Sequence, residues 1–523
     1  MRPTHPAGGP PNYRSGYSGR MRRLAVLLAF ALSIAFTVAP VSTPATVTFL
    51  HFNDVYEIGP IEAGAVGGLA RVATVRARLK AAHPGLLTML AGDYLSPSAL
   101  GTAEMNGEPL AGRQMVAVLN VLGLDWATLG NHEFDLGEAT FRTRVAESTF
   151  HLVSSNVTDA NGAPFPGIAT HAIVPVRAEG GTVRLGLLGL TIDSNKPAWV
   201  TYADPVASAE VAVAELKGKC DAIVALTHLS LATDQHVAEQ VPEIDLILGG
   251  HEHENYFIER GAHFTPIVKA DANVRTVAIV TLRIPRDGTR PSVSSRIERI
   301  DRRIPEERRT AAEVKKWTDL GFAGFRAQGF EPNLPVATTP VALDGREAVI
   351  RSQPTRLTDL IANAMRHEAK TDLSIFNAGS VRIDDVLLPA GAITQYDVIR
   401  ILPFGGAVVR ATFTGALLQR VLQIGEQNRG SGGFLQYAGI TRDPEGFKID
   451  GRPIDPSGRY TLALTDFLLT GGERNLGFLT RQNPDVGDIT DLRDIRIAVI
   501  EELRGRSLGG DRELGFRSPS PGP

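Results

Sequence analysis

A single cysteine, Cys220, stands among 523 residues, so no disulfide can form within the chain. Its place just before the apolar stretch 222–226 reads as a small core hydrophobe. No charge of one sign dominates. Lys and Arg number 54 against 57 Asp and Glu, a net charge of −3, which does not favour a nucleic acid polymer as partner. Long hydrophobic runs are lacking too. The N-terminal run at 24–36 falls short of the roughly 20 apolar residues that a membrane-spanning helix needs. It follows Arg20, Arg22 and Arg23 and precedes the small residues Ala39, Ser42 and Ala45, the pattern of an export signal. A periplasmic or secreted mature protein is therefore expected, without stable membrane insertion unless the signal stays uncleaved. No cysteine near the cleavage region means no lipoprotein. Residues 1–20 are Pro- and Gly-rich and patternless, which makes Met21 a candidate start. Repeats and Ser/Thr-rich stalks are also absent, which argues against a surface adhesion module.

What is present is a globular composition, 43% hydrophobic and 21% charged, in a chain long enough for two or three domains. After a leader and signal over 1–45, apolar stretches at 46–52, 86–90, 124–129, 185–190, 222–226 and 246–248 read as buried strands. Helical segments alternate with them, at 67–82 (Leu69, Val72, Val75 and Leu79 on one face) and 114–122. This predicts an α/β domain with a sandwiched sheet over 46–285, closing after a strand at 276–284. Residues 286–300 are polar and strand-like, and 306–330 reads as a charged helix broken by glycines. Together they predict a linker over 286–333, then a smaller α+β domain over 334–508 and a disordered tail over 509–523.

Five short motifs punctuate the first domain: Asn53-Asp54-Val55-Tyr56, Gly92-Asp93, Gly130-Asn131-His132-Glu133-Phe134-Asp135, Thr227-His228 and Gly249-Gly250-His251-Glu252-His253. Each sets Asp, Asn or His at the end of an apolar run, and ligands at neighbouring strand ends converge in space. Oxygen and imidazole donors without thiolates suit hard or borderline divalent ions such as Mn, Zn, Fe, Co or Mg. Two such cations, roughly 3.5–4 Å apart, answer the two difficulties of phosphate ester hydrolysis: they neutralise the repelling oxygens and activate a water. Holding them that close requires a bridging carboxylate, for which Asp93 is the candidate.

In order and spacing these motifs resemble the calcineurin-like metallophosphoesterases. The longer Gly130–Asp135 version, with the C-terminal motifs below, is similar to the secreted 5′-nucleotidase and UDP-sugar hydrolase family. The resemblance covers roughly residues 46–490. It implies one metal site of Asp93, Asn131, His228 and His251, and another of Asp54, Asp93 and His253, with Tyr56 where the family usually has histidine. A phenol with a reference pKa near 10 ligates at neutral pH only if its phenolate is strongly stabilised. Either Tyr56 holds Fe(III), or it stands off and its site binds metal weakly; the second is the plainer alternative. His132 follows a ligand directly, so it should face the phosphoryl group and protonate the leaving oxygen or stabilise transition-state charge, with Asp135 orienting it.

Asn377-Ala378-Gly379-Ser380-Val381-Arg382 resembles the family's NGGGxR loop, with Ala378 and Ser380 replacing two glycines. It places Asn377, Gly379 and Arg382 at the substrate, with Arg382 on the phosphate beside Arg351. Phe404, in Leu402-Pro403-Phe404-Gly405-Gly406, and Phe467, before Gly471-Gly472-Glu473, would clamp a nucleobase at roughly 1–3 kcal/mol per stacked face. Glu473 replaces the aspartate expected at the ribose hydroxyls, and Pro354, Thr358 and Asp359 depart from the family around Arg351. The implied function is hydrolysis of nucleoside 5′-monophosphates by a metal-bridged hydroxide using two divalent ions (Mn, Zn, Co or Fe, with Fe(III) if Tyr56 ligates). Cyclic nucleotides, UDP-sugars or nucleotide diphosphates on the same site are alternatives. So is a catalytically impaired nucleotide-binding protein, against which the intact 130–135 and 249–253 motifs argue.

Overall fold

The computed structural model describes residues 43–387 and 391–508. The export signal and the 509–523 tail therefore lie outside the described residues. Among the described residues, no helix is long and apolar enough to cross a membrane.

The first lobe is two sheets face to face. One has seven strands, in the spatial order Ile168–Ala169, His151–Val153, Trp126–Thr128, Leu87–Ala91, Ala45–Phe52, Thr276–Ile284, Ser292–Arg299. The other has six: His171–Ala178, Gly181–Thr191, Ala222–His228, Leu246–Gly249, Thr265–Lys269, Tyr256–Arg260. Side chains alternate across each strand. Val47 and Phe49 point between the sheets, where they meet Leu185, Leu187, Val224 and Leu248. Leu50 and Phe52 point outward into a cluster with Leu69, Val72 and Leu119, on the helices Leu69–Ala82 and Arg113–Leu122. The second sheet buries Leu188, Ile223 and Ile247 beneath Val213 and Val237, from the helices Pro205–Leu216 and Leu231–Gln240. Burial on both faces is why these strands read as unbroken apolar runs.

Ala45–Phe52, Leu87–Ala91 and Trp126–Thr128 run parallel in the first sheet. Gly181–Thr191, Ala222–His228 and Leu246–Gly249 do so in the second. The five motifs therefore emerge at the carboxyl ends of parallel strands, where open α/β sheets bind ligands.

Two expectations need correction. Ser292–Arg299 pairs antiparallel with Thr276–Ile284 along its length, so the first lobe does not close at 285 and the segment after it is no linker. Its alternating exposure is that of an edge strand with one wet face, which explains its polar sequence. The helix Arg308–Ala327 is continuous, not broken by glycine, and it packs on Leu69–Ala82 and Arg113–Leu122. Gly321 and Gly324 are buried where the helix also meets the segment 100–105, and an added Cβ would collide with the Leu100 side chain and the Glu104 carbonyl oxygen respectively. Gly324→Ala should therefore lower stability in denaturant unfolding. Overpacking costs about 1–3 kcal/mol, against at most about 1 kcal/mol recovered from helix propensity.

The second lobe is a five-stranded sheet in the order Leu435–Ala438, Leu373–Asn377, Arg459–Thr465, Ala407–Thr414, Val486–Asp494. One face covers Leu417, Leu418 and Val421 of the helix Gly415–Gln427; the other covers Leu360, Ile361 and Met365 of Arg356–Ala369 and Val499 of Ile495–Leu508. Leu373–Asn377 and Arg459–Thr465 are parallel, so the loop leading to Arg382 and the turn bearing Phe467 leave the same sheet end. Both lobes fall in one compact unit.

Candidate active site

Four of the candidate ligands sit in left-handed backbone: Asp54 (φ 52°), Asp93 (φ 55°), His251 (φ 87°) and His253 (φ 59°). That conformation is unfavourable for non-glycine residues and collects at functional turns. Asp54, Asp93 and His251 lie two residues beyond the ends of their strands, and His253 four. The turns are stitched together: Asp54 N donates to Gly92 O (3.1 Å) and Val55 N to Asp93 O (2.9 Å), while His251 N donates to Asp54 Oδ2 (2.8 Å). Gly130 permits the closest approach, since a Cβ there would overlap Asp93 Oδ1.

Asp54, Asp93 and His228 present one ligand atom each, all within 4.8 Å of one another. All three are buried. His228 Nε2 lies 3.2 Å from Asp93 Oδ2 and 3.9 Å from Asp54 Oδ1. Its Nδ1 faces the Ala91 carbonyl at 2.8 Å; a carbonyl only accepts, so Nδ1 carries the hydrogen and Nε2 turns to the carboxylates. His228 Nε2 and Asn131 Oδ1 are buried without a hydrogen-bond partner. Buried polar atoms are rarely left so, and a divalent cation satisfies both. The donor set fits such ions. His253 Nε2 stands 3.2 Å from Asp54 Oδ1, and the His251 ring packs 5.3 Å from that of His228.

The Tyr56 hydroxyl is turned into this group, 3.2 Å from Asp54 Oδ1, 3.3 Å from Asp93 Oδ2 and 3.0 Å from His253 Nε2. Burial, then Asp93 and Asp54, push its pKa well above the ordinary value, so the phenol keeps its proton. Burial disfavours charge on His228, but Asp93 and Asp54 overcome it and raise the imidazole to about 9. Burial and the charge of His228 pull His251 down to about 4, which keeps it a neutral donor.

His132 Nδ1 meets Asp135 Oδ2 at 2.6 Å, and its backbone N donates to Asp93 Oδ1 (2.9 Å). Asp135 is fixed in turn by Ser96 Oγ (3.0 Å) and Asn195 Nδ2 (2.5 Å). Burial lowers the His132 pKa, yet Asp93 and Asp135 outweigh it and leave the imidazole above its usual value.

His132 and Asp135 line a cavity of about 1370 Å³ together with Asn377, Gly379, Arg382, Phe404, Phe467 and Glu473 of the second lobe. Phe404 and Phe467 are 55% and 43% exposed there, unusual for large apolar rings. The Arg382 guanidinium sits 5.7 Å from the Phe404 ring centre, and its Nε and Nη1 are buried without partners. Arg351 lines the adjoining cavity of about 550 Å³ with His251, His253 and Asp384. It is ion-paired to Glu347, and its Nε is likewise unpartnered. Burial raises the Glu473 carboxyl, opposed by a hydrogen bond from Asn377 and by Arg382 and Arg351. Of the residues expected at the site, these line the two cavities, and Asp54, Asp93 and His228 form the candidate metal-binding group.

Several supporting residues escaped the sequence reading. Glu133 is fully buried and accepts from the backbone N–H groups of Asp93 (2.9 Å), Tyr94 (2.7 Å), Leu95 (3.0 Å) and Gly130 (2.5 Å). It lay inside a quoted motif, but nothing in the spacing gave it a role. Asn53 donates to Asp54 Oδ2 (2.7 Å) and accepts from Ala270 N (2.8 Å). Lys269, wholly buried, pairs with Asp234 (2.7 Å) and Glu252 and donates to Gly250 O (2.8 Å), anchoring the loop of His251 and His253. Asp384 and Glu347 approach from the second lobe, and no local signal marks them.

Residues 47–255 match the calcineurin-like phosphoesterase family and residues 335–480 the 5′-nucleotidase C-terminal domain. Among curated relatives, the 5′-nucleotidase of Bos taurus is 24% identical, covering 84% of this chain and 86% of its own length. Protein UshA of Yersinia enterocolitica is 25% identical, covering 86% and 90%. Among solved structures, a 5′-nucleotidase precursor from Thermus thermophilus shares the fold at 22% identity, with a TM-score of 0.71 over 88% of this chain and 97% of that one. The chain belongs to the family in which a calcineurin-like phosphoesterase domain precedes a 5′-nucleotidase C-terminal domain.

Proposed function

We propose that this protein is an exported hydrolase that releases inorganic phosphate from nucleoside 5′-monophosphates. The observation that carries the reading is the shared cavity, which sets the His132–Asp135 pair opposite two exposed phenylalanine rings and an arginine with free donor atoms. Bound by Asp54, Asp93, Asn131, His228, His251 and His253, two divalent cations of the Mn, Zn, Co or Fe class supply charge neutralisation and water activation. Tyr56 stays a protonated donor beside divalent ions and becomes a ligand only for a trivalent one. Arg382 and Arg351 hold the phosphate through their unpaired guanidinium nitrogens. Phe404 and Phe467 take the base between them, and Asn377 and Glu473 face the sugar. His132, with Nδ1–H committed to Asp135, offers Nε2 to the leaving 5′ oxygen and gives it a proton. The basic residues ahead of the apolar stretch 24–36 support release of product in the periplasm or outside the cell.

A phosphate-release panel over nucleoside mono-, di- and cyclic phosphates and UDP-sugars tests this. Preference for monophosphates is expected, and preference for any other class overturns the substrate assignment. Phe404→Ala with Phe467→Ala should raise KM for a nucleotide by about 10-fold or more, from stacking of roughly 1–3 kcal/mol per face, and leave a small phosphate ester without a base unaffected. In Asp135→Asn the pH profile should move. His132 acts protonated, so activity is lost as pH rises through its elevated pKa. Removing one of the charges that elevates it lowers that pKa, and the alkaline limb of kcat/KM shifts to lower pH.

A further inference from the structure

The two histidines flanking Asp54 are oriented from different places. His228 has its Nδ1 partner inside the first lobe, the Ala91 carbonyl at 2.8 Å. His253 turns Nε2 towards Asp54 Oδ1 (3.2 Å), while its Nδ1 meets Asp384 Oδ2 of the second lobe at 2.8 Å. Asp384 lies two residues beyond Arg382 and holds a left-handed backbone, φ 41°. Its other carboxylate oxygen accepts from Glu347 N (2.9 Å), and its carbonyl accepts from Arg275 Nη2 of the first lobe (2.8 Å). Next to it, Asp385 pairs with Arg275 (3.3 Å) and Arg400 (3.5 Å). Arg400 reaches Glu57 (3.4 Å), whose Oε2 accepts from Tyr396 OH (3.0 Å). Glu57 follows Tyr56 on the loop that carries Asp54. The interlobe contacts therefore converge on the metal-binding turns.

We propose that Asp384 is the positioning residue for His253, and that it ties cation retention at this histidine to the apposition of the two lobes. The inference rests on the metal-site reading above. A carboxylate behind a ligating imidazole fixes its tautomer and orientation and raises its basicity, and losing such a partner costs about 10–100-fold in metal affinity. Because the partner belongs to the other lobe, separating the lobes removes it. By reciprocity, a cation held by His253 stabilises the apposed arrangement by the same factor.

The test is titration of the full chain with Mn(II), followed by the electron paramagnetic resonance of the free ion, in the wild type, Asp384→Asn and Arg275→Met. Asp384→Asn should weaken one of two binding classes about 10–100-fold and leave the other in place, with phosphate release restored by excess Mn(II). Arg275→Met loosens the lobe contact without touching His253 and should weaken the same class; it carries the test alone if Asp384→Asn does not fold. In the wild type, Mn(II) should slow hydrogen exchange at the Glu347 amide, and in Asp384→Asn that protection should be lost. An isotherm unchanged in folded Asp384→Asn overturns the positioning role, and one unchanged in Arg275→Met overturns the coupling. Phosphate release alongside an Asp384-independent isotherm sinks this inference only; Asp384-dependent binding without any phosphate release sinks only the hydrolase assignment.

Discussion

Asp93→Asn should reduce phosphate release by at least about 100-fold, the upper end of what losing even a group behind a metal ligand costs. Asp93 Oδ1 accepts the His132 backbone N–H at 2.9 Å, and Oδ2 faces His228 Nε2 at 3.2 Å. One carboxylate thus joins both halves of the metal-binding group. Asparagine keeps its shape and loses its charge, so the turns persist while the cations lose their common anion. The metal-free variant should unfold below the wild-type temperature: burial raises the Asp93 carboxyl, but His228 and His132 outweigh it and hold it below its ordinary pKa, and asparagine loses that attraction. Adding Mn(II) should raise that temperature less than it does in the wild type. Retention of full activity in Asp93→Asn would refute its place between the cations.

His132→Ala should cost about 10²–10⁴-fold in kcat, the usual worth of a positioned general acid or base. Size is not its only signature. A nucleoside leaves as a poor alkoxide and needs a proton, whereas p-nitrophenolate leaves unassisted. The loss should therefore be much smaller on p-nitrophenyl phosphate than on a nucleotide, while KM changes little on either. Equal losses on both substrates would shift the role of His132 to holding charge on the phosphoryl oxygens. Metal binding by the variant should match the wild type, since the proposed ligand in this turn is Asn131, one residue earlier, whose Oδ1 is buried without a hydrogen-bond partner.

The candidate ligands stand out in the sequence because they follow or end apolar strand runs, and the structure brings Asp54, Asp93 and His228 within 4.8 Å of one another. Leu50 and Phe52 ahead of Asp54, or Leu246 and Leu248 ahead of His251, announce a strand end whatever surrounds it. The paired lobes were legible from the two clusters of motifs. What stayed hidden depends on distant partners. Asp384 lies 131 residues from His253, and no spacing rule joins them. Gly321 and Gly324 read locally as helix breakers, yet tertiary contact with Leu100 and Glu104 demands their small size. Ser292–Arg299 looked like a connector because its outward face is polar, although it completes a sheet. Local propensity gave the wrong answer where neighbours far along the chain decide.

With four peptide hydrogens gathered on the Glu133 side chain, the turn holding Asp93 and the turn holding Asn131 are locked in register by the polypeptide itself. Ions arriving from solution would then enter a finished cradle instead of assembling one, and the entropy of arranging it is spent once, as the chain folds.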